Sequence, residues 1–297
     1  MLKKTLFIET PCHLQIENEL IKLTNKITQE SNTFVPDELG YIILENYQIT
    51  ASIQFFQIAA TNNILIIVCD KTHNPVSYTI PLYYNTTQTQ TLNNQIKLKT
   101  EHKRMIWKQI IISKIQNQAN LLKKMNKDYL KLMKLLEKAT LDNIETCEST
   151  ASRFYWKELF EIKKFKRDSE GEPPNNLLNY GYSILRAATA RALIGSGLMP
   201  QISLHHHNKY DPLPLADDVM EPYRPFVDQI VVELVKKDDY MFLHKRNKQE
   251  LLKILACDTI INEVRRPLMI ALTYTTSSLA NIINNKNKKI SVPIMDV

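Results

Sequence analysis

Glycine is scarce in this chain. Gly40, Gly171, Gly181, Gly195 and Gly197 are the only five among 297 residues. Neither the spacing of a phosphate-cradling loop nor that of a dinucleotide fingerprint occurs, and there is no Gly-x-Ser-x-Gly elbow. Nucleotide-cofactor and serine-hydrolase chemistries are therefore set aside. Long apolar runs are also missing: Ile64–Val68 is too short to span a bilayer. The first residues carry Lys3 and Lys4 but no apolar core, and Glu9 and Pro11 interrupt them, so no signal peptide is read and a cytoplasmic location is expected. The four cysteines, Cys12, Cys69, Cys147 and Cys257, have no close pair, which excludes a zinc knuckle or redox motif and predicts reduced thiols. No activating base accompanies Cys147, so a nucleophilic thiol is not favoured there.

Charge is present in excess of one sign. The net charge is +7. Between Lys97 and Lys138 twelve Lys and Arg face only Glu101, Asp128 and Glu137, so this segment alone exceeds the excess of the whole chain. A basic stretch this local is the footprint of a phosphate backbone, the plain alternative being a solvated helix face. Lys103, Arg104, Lys108 and Lys114 within it are candidate nucleic-acid-binding residues, joined by Arg153, Arg186 and Arg191 further on.

The length predicts two domains. Short apolar or alternating runs at Lys4–Ile8, His13–Glu17, Glu19–Leu23, Gly40–Leu44, Ile64–Cys69 and Val76–Ile80 predict strands, with a turn at Asn74-Pro75 and one short helix within Thr50–Ala60. Together they predict a small N-terminal β domain, sandwich-like, over residues 1–84. The polar Tyr84–Gln95 stretch reads as a linker, placed at 85–96. Residues 97–297 turn to helical periodicity and predict a larger all-α domain with a basic tail, giving an α+β chain overall. Helices are expected from Met105, over Tyr129–Leu136, Leu177–Leu193, Val219–Val235 and Lys248–Ile261, with a Pro- and Gly-bearing loop over Phe165–Asn176 and a helix end at Gly195-Ser196-Gly197. The tail from Asn284, with Lys286, Lys288 and Lys289, is expected to be loose until something binds it.

Histidine and carboxylate carry the candidate chemistry. His205-His206-His207 precede Asp218 and Glu221 by 11 to 16 residues. Asp218 and Glu221, three apart, would share a helix face and could approach one ion. Three consecutive imidazoles cannot all point one way, so one or two would be ligands. Taken alone, a pair of surface carboxylates is the commoner meaning of such a spacing. A third ligand must come from elsewhere, and Glu148, at the start of a helix with Ala151, Phe154 and Tyr155 on its apolar face, is the candidate, with Glu145 its local competitor. By composition Glu148 is also explained as a helix N-terminal acid.

Five segments in series carry a family likeness: Gly40-Tyr41-Ile42-Ile43-Leu44-Glu45, Glu148-xx-Ala151-xxx-Tyr155-Trp156, Pro174-Asn175-Asn176-Leu177-Leu178-Asn179-Tyr180-Gly181-Tyr182, His205-His206, and Asp218-xx-Glu221-Pro222-Tyr223-Arg224-Pro225. Through essentially the whole chain these resemble the CRISPR-associated endonuclease/integrase of spacer acquisition, Cas-one, and most of all its type II branch. The resemblance implies an N-terminal β domain and an α-helical catalytic domain. It implies a divalent-metal site, Mg²⁺ or Mn²⁺, of Glu148, His206 and Glu221, with His205 the rival histidine, Asp218 alongside and His207 a bystander. Ser149 and Ser203 stand where the family has glycine, and neither removes a ligand. The implied reaction is attack of a prespacer 3′-hydroxyl on a target phosphodiester, which needs no protein nucleophile. The implied partners are double-stranded DNA (prespacer and CRISPR repeat), a second copy in a homodimer, the small Cas-two protein bridging two dimers, and the type II effector as a further candidate; no membrane is implied. The competing readings are a metal-dependent nuclease or mobile-element integrase outside CRISPR, and a catalytically inactive DNA-binding scaffold.

Overall fold

The computed structural model describes residues 3–70, 75–79, 81, 85–162, 165–206, 208–285 and 289–297. The expectations for Asn74, Ile80, Tyr84, His207, Lys286 and Lys288 lie outside the described residues. The chain divides into two compact units, Met1–Gln88 and Thr89–Val297.

The first unit holds two four-stranded sheets. One is formed by β1 (Lys4–Ile8), β5 (Leu39–Leu44), β7 (Leu65–Cys69) and β8 (Pro75–Thr79) in that spatial order. Its first three strands are parallel and β8 is antiparallel to β7. The other runs β4 (Ser31–Phe34), β3 (Leu20–Asn25), β2 (Cys12–Glu17), β6 (Thr50–Ala51). Every residue of β5 is buried, as expected of a parallel strand covered on both faces. Helix α1 (Ile53–Thr61) starts where the Ser52 hydroxyl accepts from the Phe55 N–H, and its Phe55 and Ala59 join Leu14, Ile21, Ile42, Leu44 and Ile66 in the core. The short polar strand β4 has no apolar alternation, and the sequence pattern gives no sign of it.

The second unit is mainly helical: α2 (Gln88–Ile96), α3 (Thr100–Lys124), α4 (Leu130–Glu137), α5 (Ile144–Leu159), α6 (Asn175–Gly195), α7 (Pro214–Met220), α8 (Arg224–Lys236), α9 (Lys245–Leu252) and α10 (Leu268–Ile283). Among the described residues no helix is long and apolar enough to cross a membrane.

Four expectations are corrected. The stretch read as a linker over 85–96 is largely helix α2, whose Thr91 and Gln95 are buried; Gln95 is held there by hydrogen bonds to the Met199 and Ile202 carbonyls and from the Met199 N–H. The helix expected over Val219–Val235 is two helices joined by a 3₁₀ turn at Glu221–Tyr223, because Pro222 and Pro225 lack the N–H groups an unbroken helix would use. The helix expected to Ile261 stops at Leu252, and the all-α domain contains a hairpin, β9 (Asp258–Ile261) and β10 (Val264–Pro267). Asn262 and Glu263 turn it with positive φ at both positions, the geometry that two-residue hairpins favour. Residues 289–297 of the tail are not loose: Ile290 and Met295 are buried, and Ile294 pairs with Ile260.

Candidate active site

Helix α3 is long enough to reach every part of the site and carries a lysine on its buried face. The Lys114 ammonium lies 2.7 Å from Glu148 Oε1 and 2.6 Å from Glu221 Oε2. Glu148 comes from the second turn of α5, where Glu145 is exposed and Glu148 is turned inward. Glu221 comes from the 3₁₀ turn, which the two prolines create. Two carboxylates 73 positions apart in the chain thus share one cation. Arg224, one turn after Glu221, places Nε 2.8 Å from Glu221 Oε1. Both contacts to Glu221 are ionic rather than directional, since Glu221 Oε2 and Arg224 Nε are buried without a hydrogen bond of good angle.

These charges decide the ionisation. Burial pushes the Glu221 carboxyl up, but Arg224 and Lys114 outweigh it and pull it down to about 2. Burial acts to lower the Lys114 ammonium, and Glu221 and Glu148 reverse this, so it is raised. Both groups are charged at neutral pH.

The histidine loop approaches from the other side. Asp218, fully buried on α7, accepts the backbone N–H groups of Leu204 and His205 at Oδ2 (2.7 and 3.0 Å) and that of His206 at Oδ1 (3.2 Å). The same Oδ1 is 2.6 Å from His206 Nδ1. Asp218 was expected to approach an ion beside Glu221; its oxygens instead brace the loop and the ring. A carboxylate at Nδ1 holds the proton there and leaves the Nε2 lone pair for a ligand. That hydrogen bond raises the His206 pKa, partial burial opposes it, and the charges of Asp218, Glu221 and Asp217 add to the rise. His205 is turned elsewhere: its ring stacks on Trp107 of α3, 4.3 Å between centroids and 8° between planes, while His206 meets the same indole edge-on.

Two of the predicted DNA-binding cations are engaged inside this framework. Lys114 is buried between the glutamates. Arg186 on α6 forks onto Asp217 (Nε to Oδ1 2.9 Å, Nη2 to Oδ2 2.7 Å) and also binds Asp211, which ties the loop after the histidines to α7. Burial pushes Asp217 up to about 6 against the opposing pull of Arg186. Lys103 donates to the Ser203 carbonyl (3.1 Å), next to Leu204, and the exposed Arg104 to that of Leu141 (3.1 Å). Lys108 is half-buried on α3, and Arg191 is part-buried on α6. Arg153 is exposed on α5 and borders a cavity of about 420 Å³ with Trp156, Lys157, Ile162, Phe165, Lys166 and Arg167.

Behind the acids lies a buried network that the sequence did not signal. Tyr155 donates to Asp228 (2.7 Å), and Tyr182 donates to its other oxygen. Burial pushes Asp228 up to about 6 although both hydroxyls oppose the shift. The Tyr182 ring carries the Arg224 guanidinium 4.7 Å from its centre and that of Arg167 at 5.3 Å. Cys147, buried next to Glu148, donates from its thiol to Asn143 Oδ1 at 3.5 Å.

The donor set fits a divalent cation in kind. Glu148 and Glu221 already share a positive charge, and the buried Glu221 Oε2 has no hydrogen bond to saturate it. Among the described residues no three His, Cys, Asp or Glu side chains stand together as a ligand set; the place between the glutamates belongs to the Lys114 ammonium.

Comparison with known proteins identifies the family. The chain is 28% identical over 263 residues to the CRISPR-associated endonuclease Cas1 of Neisseria meningitidis serogroup C (strain 8013), covering 88% of this chain and 86% of that one. It shares its fold with a casposase bound to integration product (TM-score 0.76, 19% identity, 98% and 92% of the two chains). It also shares it with a Cas6-RT-Cas1–Cas2 complex (TM-score 0.73, 19% identity, 97% of this chain and 35% of that one). The family described as CRISPR associated protein Cas1 matches residues 6–266, and the chain therefore belongs to the Cas1 family, called Cas-one above.

Proposed function

We propose that the chain is a divalent-metal-dependent DNA endonuclease and integrase that inserts prespacer DNA into a CRISPR array. The observation that carries this reading is the convergence of Glu148 and Glu221 on one cation beside a histidine braced by Asp218. Glu148, Glu221 and His206 Nε2 would hold Mg²⁺ or Mn²⁺. When bound, that ion supplies charge neutralisation at the scissile phosphate. The protein's own groups do the rest. Asp218 keeps His206 in the tautomer that can ligate. Arg224 keeps Glu221 ionised. Lys114, still protonated, is a donor beside both acids that can hold a phosphate oxygen. The nucleophile is the 3′-hydroxyl of the incoming DNA, so the reaction needs no protein nucleophile.

Double-stranded DNA as substrate is supported by the basic Lys97–Lys138 segment, by Arg153 on its cation-lined cavity, and by the product-bound casposase neighbour. Cas2 as partner is supported by the fold shared with the Cas1–Cas2 complex. The homodimer, the type II branch and its effector belong to the same reading and rest on the motif likeness.

The test is joining of a prespacer with free 3′-hydroxyl ends into a repeat-bearing plasmid with Mn²⁺. Glu148→Ala and Glu221→Ala are expected to lose at least about 100-fold in rate, since each removes a metal ligand, while still binding DNA. Normal joining by either variant overturns the site assignment. A wild type that binds DNA and joins nothing establishes the inactive scaffold instead.

A further inference from the structure

A polar stripe runs down one face of α3 at helical spacing: Gln109, Ser113, Asn117 and Asn120. All four hold the backbone of residues 289–297. Gln109 Oε1 accepts from the Ile290 N–H (3.2 Å), and Ser113 Oγ donates to the Pro293 carbonyl (3.2 Å). Asn117 accepts from the Met295 N–H and donates to the Pro293 carbonyl, both at 3.0 Å. Asn120 donates to the Met295 carbonyl (3.0 Å). The other side of the segment is fastened as well. Ser291 N–H donates to Ser278 on α10 (2.8 Å), and Ile294 and Ile260 exchange two backbone hydrogen bonds (2.9 and 2.7 Å). This segment lies beyond residue 266, where the family match ends.

Asn117 has one more bond. It is fully buried, and Nδ2 also donates to the Pro222 carbonyl at 2.8 Å. Pro222 follows Glu221 directly. Lys114, one turn before Asn117 on the same helix, holds the Glu221 carboxylate. Helix α3 therefore grips the turn at two points, and one of those grips is an amide whose orientation the C-terminal segment sets. Both N–H groups and the oxygen of Asn117 are engaged, so releasing the segment leaves a buried amide partly unsatisfied and free to turn.

We propose that residues 289–297 are a strap that positions Glu221: they fix the Asn117 amide, which fixes the Pro222 carbonyl and with it the turn bearing the acid. The strap is a positioning element and touches no substrate. Its consequence for metal rests on the functional reading above; its consequence for the turn does not.

Two proteins test it, a chain ending at residue 288 and the full-length double variant Ser113→Ala/Asn120→Ala, which keeps Asn117 and every candidate ligand. Hydrogen exchange of peptides from the strap, from 219–225 and from α6 is followed together with Mn²⁺ binding by calorimetry. Exchange in 219–225 is expected to rise in both proteins while α6 stays protected. Half-saturating Mn²⁺ is expected to rise about tenfold, as when a group that orients a ligand is lost, with KM for DNA unchanged. A synthetic peptide of residues 289–297 should restore the truncated chain. If the truncated chain does not fold, the double variant decides. A freed strap with unchanged exchange in 219–225 and unchanged Mn²⁺ binding overturns the proposal. If the wild type neither binds Mn²⁺ nor joins ends while 219–225 still loosens without the strap, the strap stands and the metal reading fails.

Discussion

Asp218 and His206 form one unit, and their protonation carries a sign that can be checked. The His206 pKa is raised from the ordinary 6.5. The imidazolium–Asp218 pair thus stabilises the fold below that ordinary value and loses its contribution as pH rises through the folded value. Metal needs the neutral ring, so Mn²⁺ affinity should fall as pH drops through a point above 6.5. Asp218→Asn should move that point down and weaken Mn²⁺ binding roughly 10- to 100-fold. Calorimetry between pH 5.5 and 8.5 checks both, and an unchanged midpoint in the variant sinks the pairing. Glu221 has the opposite sign: held down at about 2 from 4.5, it stabilises above the unfolded value and loses this as pH falls toward 2. Glu221→Gln should cost about 3 kcal/mol at pH 7, because Lys114 and Arg224 lose a buried partner. It should also flatten the stability curve below pH 4.5, read by urea unfolding. Glu148, a histidine and Glu221 were named together from the motif likeness, since each by itself has an ordinary structural explanation. The brace role of Asp218 was not legible, because three backbone amides meeting one carboxylate is a property of the loop's path.

At the scale of elements, the histidine loop is held by a latch. Arg186 on α6 joins Asp211 in the loop to Asp217 on α7. Arg186→Ala is expected to cost about 2 kcal/mol, less than a fully buried pair because the guanidinium is part-exposed. It should increase hydrogen exchange over 204–213, and exchange equal to wild type would remove the latch. Helix packing offers a second test. Gly181 of α6 is so close to α8 that an added Cβ would stand 2.4 Å from Val227 Cγ1. Gly181→Ala should destabilise by about 1–3 kcal/mol through overpacking. A second change, Val227→Ala, should recover part of that in denaturant unfolding; a purely additive double variant would contradict the contact. The apolar strands and most of the longer helices could be read from periodicity, but α10 was not anticipated. Helix α2, the β9–β10 hairpin and strand β4 could not be read, since their polar residues are satisfied by distant partners or by turns with positive φ at Asn262 and Glu263.

For the whole molecule, the surplus of positive charge is the property that matters. It is concentrated in Lys97–Lys138, yet Lys114 and Arg186 are neutralised internally by acids. DNA affinity should fall steeply with salt. Arg153→Ala should reduce the slope of log affinity against log salt by about 1 if it meets a phosphate, whereas Lys108→Ala reports on α3 in the same way. A slope unaltered by both places the DNA elsewhere. The division at Gln88 and Thr89 leaves every candidate ligand in the helical unit, so the candidate site lies within one unit.

The sequence by itself determined the two-part α+β plan and, through the order of its motifs, the family; the candidate ligands were named from that likeness. Apolar periodicity and side-chain chemistry are local properties, and the order of the motifs is written in the chain. The tertiary structure alone decided which groups meet. It placed Lys114 between two acids, turned His205 onto Trp107, set Asp218 behind His206, and laid residues 289–297 along α3. Each depends on contacts between distant segments, where burial and charge act through space and leave no mark on spacing along the chain.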